Sequence, residues 1–415
     1  MNQVRPFRIA VRSYDAFEQH LLEHGRAALA TAGSQRPVEI VPLGIEELHD
    51  ALFTRRELAK DSWDAVLFCS DWIGEAAAKG LLRDLAPDLE RDPPRDYPHG
   101  WCPSLLRLQQ VGATVLGMPF HDGPECLIYR RDLFEDQGEQ TRFQALHGIP
   151  LTVPTTWDDL HRVARFFTRP RDGLWGTIIA GYPDGHNTVY DTCLQIWSRG
   201  GEAFDPEGEL RLDSPEAIAG LEFLRRLQRD TGAIHPESPT ADSVRSGLAF
   251  ARGEVALMVN WFGFAALGDA DPTGPTAGRS GIARIPSSVG KAGVSLNVYW
   301  LLGVPAGAQD PDLSWAFLRH CASPTADREL TLRGAIGCRR STWTDPQVLA
   351  RTPSYAHLES LHEVAREIPA HPDFAAIARV IDSLAMAVAK TEDPIPDLCH
   401  WFQSQLATMF ERQRR

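Results

Sequence analysis

Several places in the chain set a carboxylate or an amide beside an aromatic ring. Ser70, Asp71 and Trp72 follow the apolar run 63–68, and Asn260, Trp261 and Phe262 close the run that starts at Val255. Asn297, Tyr299 and Trp300 lie within a few positions of one another. His121 and Asp122 interrupt the apolar run 116–129, where a charged pair is costly unless it is paired or liganded. Residues 181–187, with Tyr182, Asp184, His186 and Asn187, form a loop rich in donors and acceptors. Tyr14, Trp197, Arg339 and Arg340 are further candidates. A carboxylate accepting two hydroxyl protons makes charge-assisted bonds, and an aromatic face adds area at low entropic cost. The combination suits a solute with a hydroxyl rim and C–H faces: a saccharide, a polyol or a sugar acid. Each place also has a plainer reading. Asp71 can cap a helix, His121 and Asp122 can form a hinge ion pair, residues 181–187 can be a solvent loop, Trp197 can be core, Tyr299 can be hinge packing, and the arginines can pair with carboxylates.

Other chemistries lack their residues. His20 and His24 are four apart on a helix, but no third ligand is placed, so the spacing reads as two surface histidines. His99 and Cys102 have the same deficit. No metal and no cofactor is expected. A glycosidase needs two carboxyls set across the scissile bond, for which Asp71 and Asp122 can be drawn. No nucleophile elbow, phosphate loop, dinucleotide fingerprint, zinc-protease or kinase motif is present. The cysteines number seven, an odd count without a CxxC, which gives no disulfide framework and suits a reducing compartment or simple burial.

These residues need elements to hold them. The first third alternates strand and helix: strand from Phe7 to Val11, helix 16–32, strand 38–42, helix 45–60, strand 63–68, then a turn at Ser70-Asp71 and a helix ended by Gly80. That order predicts an open parallel sheet with helices on both faces and ligands beyond its carboxyl ends. Gly123-Pro124 inside the run 116–129 predicts a passage between lobes rather than a central strand. Helices are expected from Thr156 to Phe167, from Pro215 to about Asp230, over 243–252 with Gly253 as cap, over 313–321, and through most of 355–412. Strands are expected at 175–181, 255–260, 281–285 and 298–304. No repeat or low-complexity segment occurs.

The chain of 415 residues suits two lobes. With 42 basic against 55 acidic residues its formal net charge is -13, which argues against nucleic acid and anionic membrane surfaces as partners. The basic tail 412–415 reads as a frayed end. No run approaches the roughly 18 apolar residues of a membrane span, and the first residues lead straight into a strand without a secretory pattern.

Four passages carry a likeness to a known family: residues 63–87 (WDAVLFCSDWIGEAAAKGLLRDLAP), 117–134 with 154–168 (GMPFHDGPECLIYRRDLF, PTTWDDLHRVARFFT), 194–227, and 246–265 (SGLAFARGEVALMVNWFGFA). Their order and spacing resemble the family 1 extracellular solute-binding proteins, the maltose-binding-like class that serves bacterial ABC importers. The resemblance implies an α/β, two-lobed periplasmic-binding-protein fold of type II, each lobe a sheet flanked by helices, with a hinge of crossing segments. It implies an N-terminal lobe of 1–122 and 298–338 and a C-terminal lobe of 123–297 and 339–415, with crossings near 121–125, 296–298 and 336–340. It places Asp71 at an acidic ligand position and Trp261 at a sugar-stacking position. The expected partners are a carbohydrate or polyol held by hinge closure, and the importer's membrane permease subunits. The expected state is a monomer outside the cytoplasm. A cytoplasmic ligand sensor on the same fold is the alternative, and a carbohydrate-modifying enzyme a more distant one.

Overall fold

The computed structural model describes residues 4–205, 208–270 and 273–413. The chain divides into two compact units. The first holds 1–123, 297–359 and 367–374; the second holds 124–296, 360–366 and 375–415. The strands that build their main sheets are, in chain order, β1 (Phe7–Arg12), β2 (Val38–Leu43), β3 (Ala65–Cys69), β4 (Met118–His121), β5 (Glu125–Arg130), β6 (Trp175–Ile178), β7 (Val255–Trp261), β8 (Ser280–Ala283) and β9 (Trp300–Gly303).

In the first unit a five-stranded sheet runs β2-β1-β3-β9-β4. β1 pairs in parallel with β2 and β3, as the alternating pattern predicts. β9 enters antiparallel to β3 and to β4, so the sheet is mixed rather than wholly parallel. The local βαβ signal reaches only the first three strands, because β9 arrives from a distant part of the chain. β3 is buried along its length, which its continuous Ala-Val-Leu-Phe-Cys run requires of a central strand. Helix Asp15–Thr31 packs beside helix Pro311–Cys321, with Phe317 edge-on to Phe7 at 5.4 Å between ring centroids.

The expected helix over 45–60 is broken. Helix Ile45–His49 widens to a π turn over Asp50–Thr54, and Arg56 takes φ 53 before a short 3-10 turn. Ser70-Asp71 opens a 3-10 turn, Ser70–Trp72, ahead of helix Ile73–Ala78, whose N-cap position is Trp72 rather than Asp71.

In the second unit a four-stranded sheet runs β8-β5-β7-β6, with β6 parallel to β7 and the other pairs antiparallel. Helix Trp157–Phe167 lies so close on β6 that a Cβ at Gly176 would fall 1.8 Å from the Ala164 carbonyl oxygen. Only glycine permits that approach. Thr156, Ser214 and Asp242 cap their helices by accepting from the backbone N–H three residues on. The stretch expected to be mostly helical contains a short strand, Ala365–Glu367, before helices Phe374–Lys390 and Ile395–Gln413. Of the basic tail, Arg414 and Arg415 lie outside the described residues.

The chain leaves the first unit at Gly123, whose φ of 142 is open to glycine. The passage expected at 336–340 is not there: residues 339–359 belong to the first unit. Arg339 explains why. It is fully buried, its guanidinium lies 4.2 Å over the Trp101 ring, and it donates to the carbonyls of Ala322 at 2.8 Å and Arg95 at 2.8 Å. Asp327 accepts from the backbone N–H of Cys338 at 2.7 Å and of Arg339 at 3.2 Å, which pins the same segment.

His20 and His24 are not surface residues. His20 is 0% exposed and stacks on His24 at 4.1 Å; His24 meets His320 at 3.1 Å and Glu329 at 3.0 Å. No metal-binding cluster occurs among the described residues. All seven cysteines are buried free thiols. Among the described residues no helix is long and apolar enough to cross a membrane.

Candidate functional site

In the first unit, the carboxyl end of β3 carries Ser70 and Asp71, both buried. The Ser70 hydroxyl accepts from the Tyr299 N–H at 3.1 Å, and the Ser70 N–H donates to the Tyr299 carbonyl at 2.9 Å. Ser70 therefore ties β3 to the start of β9, and its hydroxyl is already used. Tyr299 is buried and donates its phenol to the Leu105 carbonyl at 2.7 Å, so it too belongs to the frame. Asp71 is 4% exposed and sits beside Trp72, whose ring meets Trp300 edge-on at 5.9 Å.

His121 closes β4, and its ring packs edge-on against Phe17 at 4.8 Å. Its Nδ1 accepts from the Ile336 N–H at 2.9 Å, and burial pushes its pKa down to about 4. It is a neutral imidazole and not half of an ion pair with Asp122. Asp122 itself is buried, and its N–H donates to the Ile336 carbonyl at 2.8 Å. Tyr14 is exposed and donates to the Gly334 carbonyl at 3.0 Å. Asn297 is fully buried, and neither polar atom of its amide has a partner. Arg339 is consumed by the carbonyls described above, and Arg340 pairs with Glu359 at 2.5 Å. Neither arginine is placed to bind an anion.

In the second unit the residues gather where β5, β7 and helix Asn187–Trp197 meet. Successive strand residues face opposite sides. Asn260 turns inward and donates to the Ser243 carbonyl at 3.1 Å and the Ser246 hydroxyl at 3.0 Å, while its own oxygen accepts from the Trp261 N–H at 2.8 Å. Its amide is spent on structure. Phe262 is fully buried, with its N–H on the Pro124 carbonyl at 3.0 Å. Trp261, between them, takes the other face and stays half-buried. Its indole N–H donates to the Asn187 side-chain oxygen at 3.3 Å, and its ring meets Tyr190 edge-on at 5.4 Å.

The loop before that helix is built rather than free. Asp184 accepts from the N–H of His186 at 3.0 Å and of Asn187 at 3.3 Å, and its carbonyl meets His186 Nδ1 at 2.9 Å. Asp382, on helix Phe374–Lys390, accepts from the Gly185 N–H at 2.8 Å and from the Thr188 hydroxyl. Tyr182 remains exposed. Trp197 is separated from Asn187 by about 15 Å of helix at 1.5 Å per residue. It is buried with Arg366 stacked 5.3 Å over its ring, which makes it core and not part of this cluster.

Two carboxyls that the sequence did not single out join the cluster. Glu125 stands directly across the β5–β7 ladder from Trp261 and is 3% exposed. Asp191 follows Tyr190 and lies one helical turn from Asn187, on the same face. Desolvation pushes both carboxyls up, that of the buried Glu125 far above the usual range with the Asp191 charge adding to it, and that of the half-buried Asp191 to about 7. Glu125 sits in an apolar run beside the crossing and Asp191 sits mid-helix, so neither spacing nor a turn signal marks them.

The chain has relatives among known proteins. The family model described as bacterial extracellular solute-binding protein matches residues 36–328. A probable ABC transporter-binding protein of Deinococcus radiodurans is 23% identical over 317 residues, 74% of this chain and 71% of that protein. The mannitol-binding protein of Pseudomonas aeruginosa is 25% identical over 287 residues, 67% of this chain and 62% of that protein. Among solved structures, maltose-bound MalE3 of T. maritima superposes with a TM-score of 0.82 at 22% identity, covering 97% of this chain and 99% of that one. An ABC transporter solute-binding protein of Agrobacterium radiobacter in complex with ribitol gives 0.82 at 22% identity, covering 98% of each chain. The fold is thus that of the two-lobed periplasmic binding proteins, and the chain belongs to the bacterial extracellular solute-binding protein family.

Proposed function

We propose that this protein is the substrate-binding component of an ABC importer, that it works outside the cytoplasm as a monomer, and that it takes up a carbohydrate or polyol without converting it. The observation that carries this reading is Trp261. Its half-buried ring is held by Asn187 and Tyr190 and stands opposite the Glu125 carboxyl, which supplies the face and rim contacts that a hydroxylated solute needs. Family membership supports it, as do relatives whose names specify mannitol, maltose and ribitol. Asp71 and Tyr14 in the first unit, and Tyr182, His186, Asn187 and Trp261 in the second, are the proposed contacts. The membrane permease is the proposed protein partner. The seven cysteines do not favour the cytoplasmic sensor, because every one is a buried small hydrophobe.

A thermal-shift screen of sugars, polyols, sugar acids and amino acids, followed by calorimetry, tests the reading. A cognate solute at a hundredfold excess over its dissociation constant adds about 2.7 kcal/mol of stability. The expected result is a shift with a carbohydrate or polyol that is recovered unchanged. A response confined to amino acids, or consumption of the solute, sinks the proposal.

A further inference from the structure

The charge balance around Glu125 and Asp191 points to a more specific ligand. Glu125 stands across the ladder from Trp261, whose indole bonds Asn187 one helical turn before Asp191, so the two carboxyls flank one cluster, and desolvation makes ionising both costly. Among the described residues no basic side chain bonds or pairs with either one, and Glu125 Oε2 is buried without a hydrogen-bond partner. The titratable groups near Glu125 are the Cys193 thiol, the Cys126 thiol on the other face of the strand, both pushed up by burial and by the Glu125 charge, and Asp191. None offers a positive charge. A second unmet group points the same way. Asn187 is 5% exposed, and its Nδ2 has no acceptor, while the Trp261 indole N–H fixes which amide atom is the oxygen. The cluster therefore holds acceptors without donors and a donor without an acceptor, beside an indole and a phenol.

We propose that Glu125 and Asp191 receive a protonated amino group, so that the solute is an amine-bearing carbohydrate or polyol, with Asn187 donating to a neighbouring hydroxyl. This rests on the carbohydrate reading above and narrows it. An ammonium supplies the missing counter-charge and donates to both carboxyls, and aromatic faces favour a cation as well. Binding then holds one carboxyl of the pair as the carboxylate that faces the ammonium, and the one proton it gives up leaves to solvent, while the other carboxyl keeps its proton. Affinity rises with pH up to about the pH at which the free pair has lost that proton, by at most about tenfold per pH unit. It falls again when the amine itself deprotonates.

The test is calorimetry of the whole protein with matched pairs, glucamine against sorbitol and glucosamine against glucose, at pH 5.5, 7 and 8 in buffers of differing ionisation enthalpy. The expected result is at least about tenfold tighter binding of an amine than of its neutral partner. Proton release and a preference that grows with pH should accompany it. Asp191→Asn and Glu125→Gln should each erase the preference, with melting curves confirming that the variants fold. Equal or tighter binding of the neutral partner overturns the amine assignment and leaves the carbohydrate reading standing. A response only to solutes without a polyol skeleton overturns both.

Discussion

Trp261 and Asn260 are neighbours in the chain with opposite duties, and the difference comes from strand alternation. Trp261 faces the cluster with Asn187 and Tyr190. Asn260 faces the helix Ser243–Ala251 and spends its amide on Ser243, Ser246 and its own neighbour. Trp261→Ala should therefore weaken solute binding by about 1.5–3 kcal/mol, the worth of a buried aromatic contact, while changing the melting temperature little. Asn260→Ala should do the reverse: it leaves a buried carbonyl and hydroxyl short of a donor, at about 1–3 kcal/mol of stability, with affinity of the folded protein nearly kept. Calorimetric titration and urea melts of both variants read the two quantities separately. Loss of affinity in Asn260→Ala with intact stability would overturn the division of labour. His121 belongs with Asn260 in this respect, because its Nδ1 is an acceptor for the Ile336 N–H and its ring is wall for Phe17.

At the scale of elements, what could be read in the sequence followed from local order. The alternation from Phe7 to Cys69 gave three parallel strands, and start signals marked the helices at Trp157 and Pro215, while the cap Asp242 of helix Ser243–Ala251 went unread. β9 could not be placed antiparallel between β3 and β4, because strand partners distant in sequence leave no local trace. For the same reason Tyr299 and Arg339 read as site candidates: a polar group at an element's end looks alike whether it meets a ligand or a distant carbonyl. Trp261 and Asn187 were legible as aromatic and amide at element ends, whereas Glu125 and Asp191 lie inside elements. Asp327 shows what long-range anchoring does. Its buried carboxylate takes the N–H of Cys338 and Arg339 and the Thr342 hydroxyl at 2.5 Å, holding the segment after helix Pro324–Leu332. Asp327→Ala should cost about 3 kcal/mol, since it strands three donors and the buried Arg339 together. Urea unfolding checks this, and a loss below about 0.5 kcal/mol would mean that the segment is held by packing alone.

Over the whole molecule, the large shifts fall on histidines in the first unit and on carboxyls in the second, although the raised Asp327 of the first and the lowered His235 of the second each work against their own unit's trend. The first unit buries neutral histidines. Burial, reinforced by His24, pushes His20 down to about 2, and burial pushes His121 down to about 4. Between about pH 4 and the ordinary histidine value near 6.5 the unfolded chain binds protons that the folded unit refuses, so this unit loses stability as pH falls through that window. The second unit holds carboxyls whose folded pKa is raised, with Asp191 at about 7. Here the folded state holds protons that the unfolded chain has given up above about pH 4, so stability falls as pH rises through the same window, by at most about 1.4 kcal/mol per proton and pH unit. Hydrogen exchange at pH 5 and pH 7, corrected for intrinsic exchange rates, should therefore move in opposite directions in the two units. Opening free energies should rise with pH in helix Asp15–Thr31 and β4, and fall in β5 and helix Asn187–Trp197. Amides that exchange only through global unfolding will report the sum of both effects, so the comparison belongs to sub-global openings. Asp191→Asn should reduce the slope of the second unit alone, because the amide has no proton to lose while the buried Glu125 keeps its own, and should leave the first unit's acid sensitivity intact. Movement of both units in the same direction, or an Asp191→Asn profile like that of the parent chain, would remove the carboxyl pair as the source of the pH response.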